Sequence, residues 1–196
     1  DIKPANIFLS RRGGVPDVVK VLDFGLVQEL ESEGDLTHSN VDAVVVGTPL
    51  FMSPEAIRSP DGTDARTDIY GLGGVAYCLV TGTPPFTARN VVELCAHHLH
   101  TLPEPPSRRH VVPDDLERVI LACLAKDPSD RPQSARALCE ALDACRDARG
   151  WHDSEAEQWW NDVKGAEIIP STERPLGGEH TVVCVDLQQR LGIERT

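Results

Sequence analysis

Long hydrophobic runs are missing from this 196-residue sequence. No apolar stretch approaches the roughly 20 residues that a membrane-spanning helix needs, and no leader-type block opens the chain. Positive charge is scarce: 19 Lys and Arg stand against 31 Asp and Glu, a net charge of −12. The basic doublets are Arg11-Arg12 and Arg108-Arg109. Binding to nucleic acid or to an anionic membrane surface needs clustered Lys and Arg, so the composition argues against both. C-x-x-C pairs are absent too. The six cysteines, at 78, 95, 123, 139, 145 and 184, mostly fall inside apolar periodic stretches and read as buried core thiols of a reducing compartment. Fifteen Gly and fifteen Pro show no repeat, which excludes collagen-like and low-complexity classes. What remains, 40% hydrophobic and 26% charged residues, suits one globular domain with or without a tail. The chain begins at Asp1, inside a motif, and reads as a fragment.

The front of the chain is β-like. Ile7-Phe8-Leu9 and Val18-Val19-Lys20-Val21-Leu22 flank a turn at Arg12-Gly13-Gly14, which predicts a hairpin. Residues 26–47 are polar and acidic without clean periodicity, the mark of a functional or disordered stretch. From Thr67 the period becomes helical. Ile69, Leu72, Val75, Ala76, Leu79 and Val80 predict a buried helix that Gly82 stops. Val91, Val92, Leu94, Cys95 and Leu99 predict a second helix. A third, capped by Asp114 or Asp115, runs through about Ala125 on a stripe of Leu116, Val119, Ile120, Cys123 and Leu124. Ser134 caps a last helix of the core through about Arg146. Beyond 150, the tandem Trp159-Trp160 and the run Thr181–Val185 read as a helix turn, a linker and an edge strand or docking segment. The tryptophan pair is expected to dock rather than to form a ligand platform. His97, His98 and His100 are expected to be exposed, because adjacent helical histidines point different ways and lack Cys or Asp partners at ligand spacing.

Five motifs follow in a fixed order: D-x-K-x-x-N at 1–6, D-F-G at 23–25, G-T-P-x-x-x-S-P-E at 47–55, D-I-Y-G-L-G at 68–73 and C-L-x-K-D-P-x-x-R-P at 123–132. A D-F-G alone is weak, but the ordered set resembles the protein kinases over about residues 1–146. The Lys in D-x-K-x-x-N resembles the serine/threonine branch, and T-G-x-P-P-F at 81–86 the bacterial members. The resemblance implies a mainly α fold: the helical C-terminal lobe of the kinases with a small β-hairpin, without the N-terminal lobe. It implies residues 1–148 as that lobe and 149–196 as a C-terminal extension.

Phosphoryl transfer to a hydroxyl needs positioning and charge neutralisation more than covalent help. In the resemblance, Asp1 is the carboxylate that takes or aligns the hydroxyl proton. Lys3 supplies positive charge to the moving phosphoryl group and contacts the nucleotide. Asn6 and Asp23 offer the hard oxygen ligands that Mg²⁺ prefers, and a hairpin over 7–22 would bring them side by side. Phe24 packs to aim Asp23, and Gly25 permits the turn. Thr48 positions the acceptor residue. Residues 23–55 form the activation segment, in which Thr37 and Ser39 are candidate phosphorylation sites. Ser53 stands where Ala is commoner. Glu55 and Arg131 match a structural buried ion pair, and Asp68 a residue that accepts hydrogen bonds from the catalytic loop.

The implied activity is an ATP- and Mg²⁺-dependent serine/threonine kinase acting on protein substrates. The implied location is cytoplasmic, with any membrane anchor of the parent lying outside this stretch. G-x-G-x-x-G and V-A-I-K, which hold the nucleotide in the family, do not occur. The fragment alone is therefore expected to be inactive. The competing reading is a pseudokinase that keeps the fold and recruits partner proteins.

Overall fold

The computed structural model describes residues 2–22, 49–59, 62–162 and 185–186. A single 3-10 turn, Pro4–Asn6, leads into strand β1, Ile7–Arg12, which pairs antiparallel with β2, Val15–Val21. The turn between them is Gly13-Gly14, with φ of 59° and 83°. Two successive left-handed residues are what a two-residue hairpin turn of right-handed twist requires, and glycine adopts them without strain. Both strands outrun their apolar stretches. Backbone pairing carries them through Ser10-Arg11-Arg12 and Val15-Pro16-Asp17, where side-chain pattern gives no β signal.

The pairing is not uniform. Ser10 faces Val18 but Arg12 faces Val15, so Arg11 alone opposes Pro16 and Asp17. This is a β-bulge on β2, one of the places in a strand where a proline is tolerated. Asp17 takes φ of 57°, the one left-handed non-glycine residue among those described; Asp and Asn bear that conformation best. A third strand, β3, Val185–Asp186, adds antiparallel to β1 and gives the order β2-β1-β3. It lies at the end of the β-like run expected there; residues 181–184 fall outside the described residues.

The remainder is helical. Helix α1, Pro54–Arg58, is short and is capped by Ser53, whose Oγ accepts from Ala56 N at 3.3 Å. Helix α2, Ala65–Thr81, starts two residues before the expected Thr67, because Asp64 caps it by accepting from Arg66 N at 2.8 Å. Gly82, left-handed at φ 73°, ends it as expected. Helix α3 is Val91–His100, with Asn90 capping Glu93 N. Helix α4 is Asp114–Cys123, α5 is Ala135–Asp143 and α6 is Asp153–Asp162.

Helix α2 is the central pillar. Tyr70 and Tyr77 pack with Ile120 and Leu124; Ile69 packs with Cys123 and Leu138; Val75 and Cys78 pack with Phe51. Leu79 departs from the expected buried set, with 52% of its surface exposed. The described neighbours of α2 cover its other sides, not this one.

Several expectations need correction. Neither Asp114 nor Asp115 caps α4: Pro113 holds the cap position, and both acids sit in the first turn, where Asp115 accepts from Leu116 N and Arg146 N. They still face the positive end of the helix dipole. Helix α5 is capped by Ser134 as expected but stops at Asp143, three residues early, where the chain tightens into turns. Beyond 150 there is a ten-residue helix, not a single turn. The cysteines divide: Cys78 and Cys123 are buried, Cys95 and Cys145 half-buried, and Cys139 exposed on α5. Burial pushes the Cys78 thiol up to about 12 and the Cys123 thiol up to about 11. His98 is fully buried, not exposed: its ring lies among Tyr70, Phe86 and Lys126. Its polar edge is matched by the Tyr70 hydroxyl, which an isolated helix pattern cannot reveal.

Candidate active site

The site begins with a backbone hook. Asn6 N donates to Lys3 O at 3.0 Å, closing the 3-10 turn, and Leu22 N donates to Asn6 O at 2.8 Å. Lys3 and Asn6 therefore share one turn, and the residue preceding Asp23 is bonded to Asn6. The Asn6 residue is buried, whereas Lys3 is partly open to solvent. Asp1, Asp23 and Thr48 lie outside the described residues, as do Phe24, Gly25, Thr37 and Ser39.

The hook is set against α2 by a close approach. A Cβ on Gly71 would stand 2.9 Å from Ile2 O and 3.0 Å from Ile2 Cβ. Only glycine lets the chain at Ile2 come this near. Asp68 lies one turn earlier in α2, on the side of the helix that Gly71 shares at i, i+3 spacing. Ile2 and Ile7 also pack on the cluster of Phe51, Val75 and Cys78. Phe51 belongs to the 3-10 turn Pro49–Phe51, immediately after Thr48. The Lys3–Asn6 turn and the chain following Thr48 are thus held on one wall of α2.

The end of that second segment is pinned by an ion pair. Arg131 Nη1 and Nη2 donate to Glu55 Oε1 and Oε2, each at 2.7 Å, in a two-point fork. The Arg131 side chain is wholly buried, and its other donors reach the carbonyls of Ala125, Arg66 and Lys126. Its guanidinium lies 4.9 Å over the Tyr70 ring. Thr67 Oγ1 donates to Glu55 at 2.9 Å. Burial alone would raise the Glu55 carboxyl, but the Arg131 fork and the bonds from its own backbone and Ser53 outweigh it and hold it down to about 2. This is the buried pair expected from the motifs, satisfied at every donor as such pairs must be.

Three features were not foreseen. Lys126 donates to His97 O and His98 O, the last carbonyls of α3, and sits 4.4 Å over the Phe86 ring. Burial, then the nearby Arg131 and Arg58, push its ammonium down to about 8. His98 turns inward to Tyr70 while His97 Nδ1 bonds Thr101 Oγ1, yet both imidazoles pack on Phe86, His97 stacked at 6.0 Å and His98 edge-on at 5.0 Å. The third is Asp17, whose two carboxylate oxygens accept from two indoles, Trp151 Nε1 at 2.7 Å and Trp160 Nε1 at 2.8 Å. The expected docking of the tryptophan pair holds for Trp160, which is 4% exposed. Only the aromatic content of 151–160 hinted at this; V-P-D-V gives no sign of an anchor.

Comparison with known proteins places the chain. A profile described as Protein kinase domain matches residues 1–142. The serine/threonine-protein kinase PknB of Mycobacterium tuberculosis (strain H37Rv) is 37% identical over 182 residues, 92% of this chain and 28% of the relative. Two serine/threonine-protein kinases of Myxococcus xanthus are similar: pkn3 is 40% identical over 157 residues and Pkn1 44% over 143, covering 79% and 72% of this chain. The chain spans 28% and 20% of those two relatives' lengths. With its motifs in order and the Glu55–Arg131 fork in place, this chain belongs to the protein kinase family, among the serine/threonine kinases of bacterial type.

Proposed function

We propose that the chain is the catalytic-loop and activation-segment part of a kinase that transfers the γ-phosphoryl group of Mg-ATP to Ser and Thr hydroxyls of protein substrates. The observation that supports it most is the 2.8 Å bond between Leu22 N and Asn6 O. It ties the turn carrying Lys3 and Asn6 to the strand that runs into D-F-G. Residues 1–148 are assigned to the catalytic lobe and 149–196 to an extension.

The protein kinase family uses ATP and Mg²⁺. The donor set suits that ion: an amide oxygen on Asn6 and a carboxylate on Asp23 are hard ligands, and Mg²⁺ completes its shell with water and phosphate oxygens rather than a protein cage. Asn6 sits buried in the 3-10 turn at the base of the hairpin, its backbone held by Lys3 O and Leu22 N. Asn6 and Asp23 would hold the ion, which would supply charge neutralisation at the phosphates. Asp1 accepts the proton of the acceptor hydroxyl, and Lys3 holds positive charge beside the phosphoryl group in flight. Thr48 positions the acceptor residue before Pro49. The 196 residues contain no G-x-G-x-x-G, so by themselves they hold ATP weakly, and turnover belongs to the complete gene product. Its substrate nucleotide places the catalytic part in the cytoplasm. No helix among the described residues is long and apolar enough to cross a membrane.

The test is phosphate transfer from Mg-ATP to a Ser/Thr protein substrate by the complete gene product. Asp1→Asn and Asp23→Ala each abolish it. Transfer retained in both variants removes the role assignments, and no transfer by the wild-type protein leaves a scaffold.

A further inference from the structure

We propose that Asp17 is a positioning residue, and that residues 151–162 form a strap that holds the hairpin through it and thereby fixes the Asn6–Leu22 end. A two-stranded hairpin is marginal in water by itself; a third strand or a helix packed on it is needed for stability. The hairpin meets the helical body at its base, where Ile7 joins the Phe51 cluster. Farther along, the described elements that pack on it are α6, against β2, and β3, against β1. Parts of β2 are open to solvent: Val15 and Val19 are more than half exposed.

The bulge supplies the attachment point. Inserting one residue on β2 turns the strand locally and re-aims a side chain. Asp17, left-handed at the bulge, presents both carboxylate oxygens to the indole N–H groups of Trp151 and Trp160. These residues lie 134 and 143 positions away in sequence. Trp160 and Ala156 are buried, so α6 rests on the hairpin and does not merely touch it. The Arg11–Glu157 pair at 3.9 Å is exposed and adds little. Hydrogen bonds to an ionised acceptor are among the stronger ones in proteins, and two converge on one carboxylate here. Asp17 and the Leu22–Asn6 bond belong to the same strand and its end, and the β1–β2 ladder between them is the route by which order at Asp17 reaches Leu22.

The strap stands on geometry alone; its consequence for phosphoryl transfer rests on the kinase reading above. All three tryptophans of the chain are at 151, 159 and 160, so emission from the 196-residue chain reads the strap and nothing else. Asp17→Asn keeps a residue that tolerates the left-handed backbone while removing one acceptor. Its emission shifts to the red, and amide exchange at Leu22 speeds about tenfold, the size a lost charge-assisted bond implies. Amides in α4 exchange as in the wild type. Trp160→Phe, which keeps a ring but no donor, reproduces the Leu22 effect, and combining it with Asp17→Asn adds less than the sum.

Unchanged exchange at Leu22 while emission shifts overturns the coupling, and unchanged emission overturns the clamp. If Asp17→Asn also loses protection in α4, Trp151→Phe, at an exposed ring, decides by the same two readouts. In the complete gene product, Asp17→Asn lowers kcat without abolishing it. Faster Leu22 exchange in a protein whose wild type transfers no phosphate sinks the kinase reading and leaves the strap. Full transfer lost in Asp1→Asn, with Leu22 unchanged in Asp17→Asn, does the reverse.

Discussion

Tyr70 Oη and His98 Nδ1 share a 2.8 Å hydrogen bond in a space closed to solvent. The other ring nitrogen, Nε2, has no hydrogen-bond partner among the described residues, although the Leu50 backbone faces the ring. Phe86 packs edge-on against the imidazole, and the Lys126 ammonium bonds the His98 carbonyl. Burial, with Lys126 and then His97 as like charges nearby, holds this imidazole down to about 4 from its ordinary 6.5. Between those values the unfolded chain binds a proton that the folded chain refuses. Stability attached to neutral His98 is therefore fully present above pH 6.5 and falls as pH drops toward 4. Urea unfolding of the wild type and His98→Gln across this window checks it. The variant is less stable at pH 7, and its stability changes less steeply between pH 6.5 and 4. Equal slopes refute the assignment.

The Glu55–Arg131 fork gives a prediction of the same sign in a lower pH window. Removing one partner of a buried pair leaves an uncompensated charge and costs about 3–5 kcal/mol. Glu55→Gln should lose about that much at pH 7, read from urea midpoints at constant m. Because the carboxyl is held down to about 2 from 4.5, the contribution is intact above pH 4.5 and fades as pH falls toward 2. The wild type and Glu55→Gln should converge over that interval. A gap that persists at pH 2 would mean that the fork is not what the variant removes.

How much of this was legible beforehand depends on the range of the cause. The Asn6–Leu22 juxtaposition follows from two β-rich runs around Gly13-Gly14, a local pattern. Gly82 and Ser134 ended and began helices as read, because caps act within one turn. Glu55 and Arg131 are 76 positions apart, and only the motif resemblance joined them; propensity says nothing at that distance. His98 was misread because its burial depends on Tyr70 and Phe86, which a helix pattern does not contain. Asp114 and Asp115 were misplaced by one or two residues because α4 starts without a side-chain cap, Pro113 holding that position and both acids falling in the first turn. The Asp17 bulge was invisible: the partners of its carboxylate, Trp151 and Trp160, lie 134 and 143 positions away in sequence.

Lys3 tests the electrostatic part of the proposed mechanism. A charge that acts on the phosphoryl group in flight stabilises the transition state more than the ground state. Lys3→Met in the complete gene product should therefore lower kcat by about 100-fold or more, the scale of losing one such donor, with a smaller change in KM for ATP. Steady-state kinetics with varied Mg-ATP separate the two. A rise in KM at unchanged kcat would reduce Lys3 to a binding residue.

Gly71 tests whether the wall of α2 sets the loop. The missing Cβ leaves room for Ile2 O at 2.9 Å, and that neighbour is backbone, which cannot swing aside as a side chain can. Gly71→Ala should cost about 1–3 kcal/mol by overpacking. It should also displace the turn bearing Lys3 and Asn6, so that phosphate transfer falls further than the loss of folded protein explains. Gly62→Ala is the control, since nothing lies within 4 Å of the added Cβ there; it should stay within about 0.5 kcal/mol of wild type. Differential unfolding, together with transfer measured per folded molecule, separates the two effects. If Gly71→Ala loses stability while each folded molecule keeps full activity, the helix supports the loop without setting its aim.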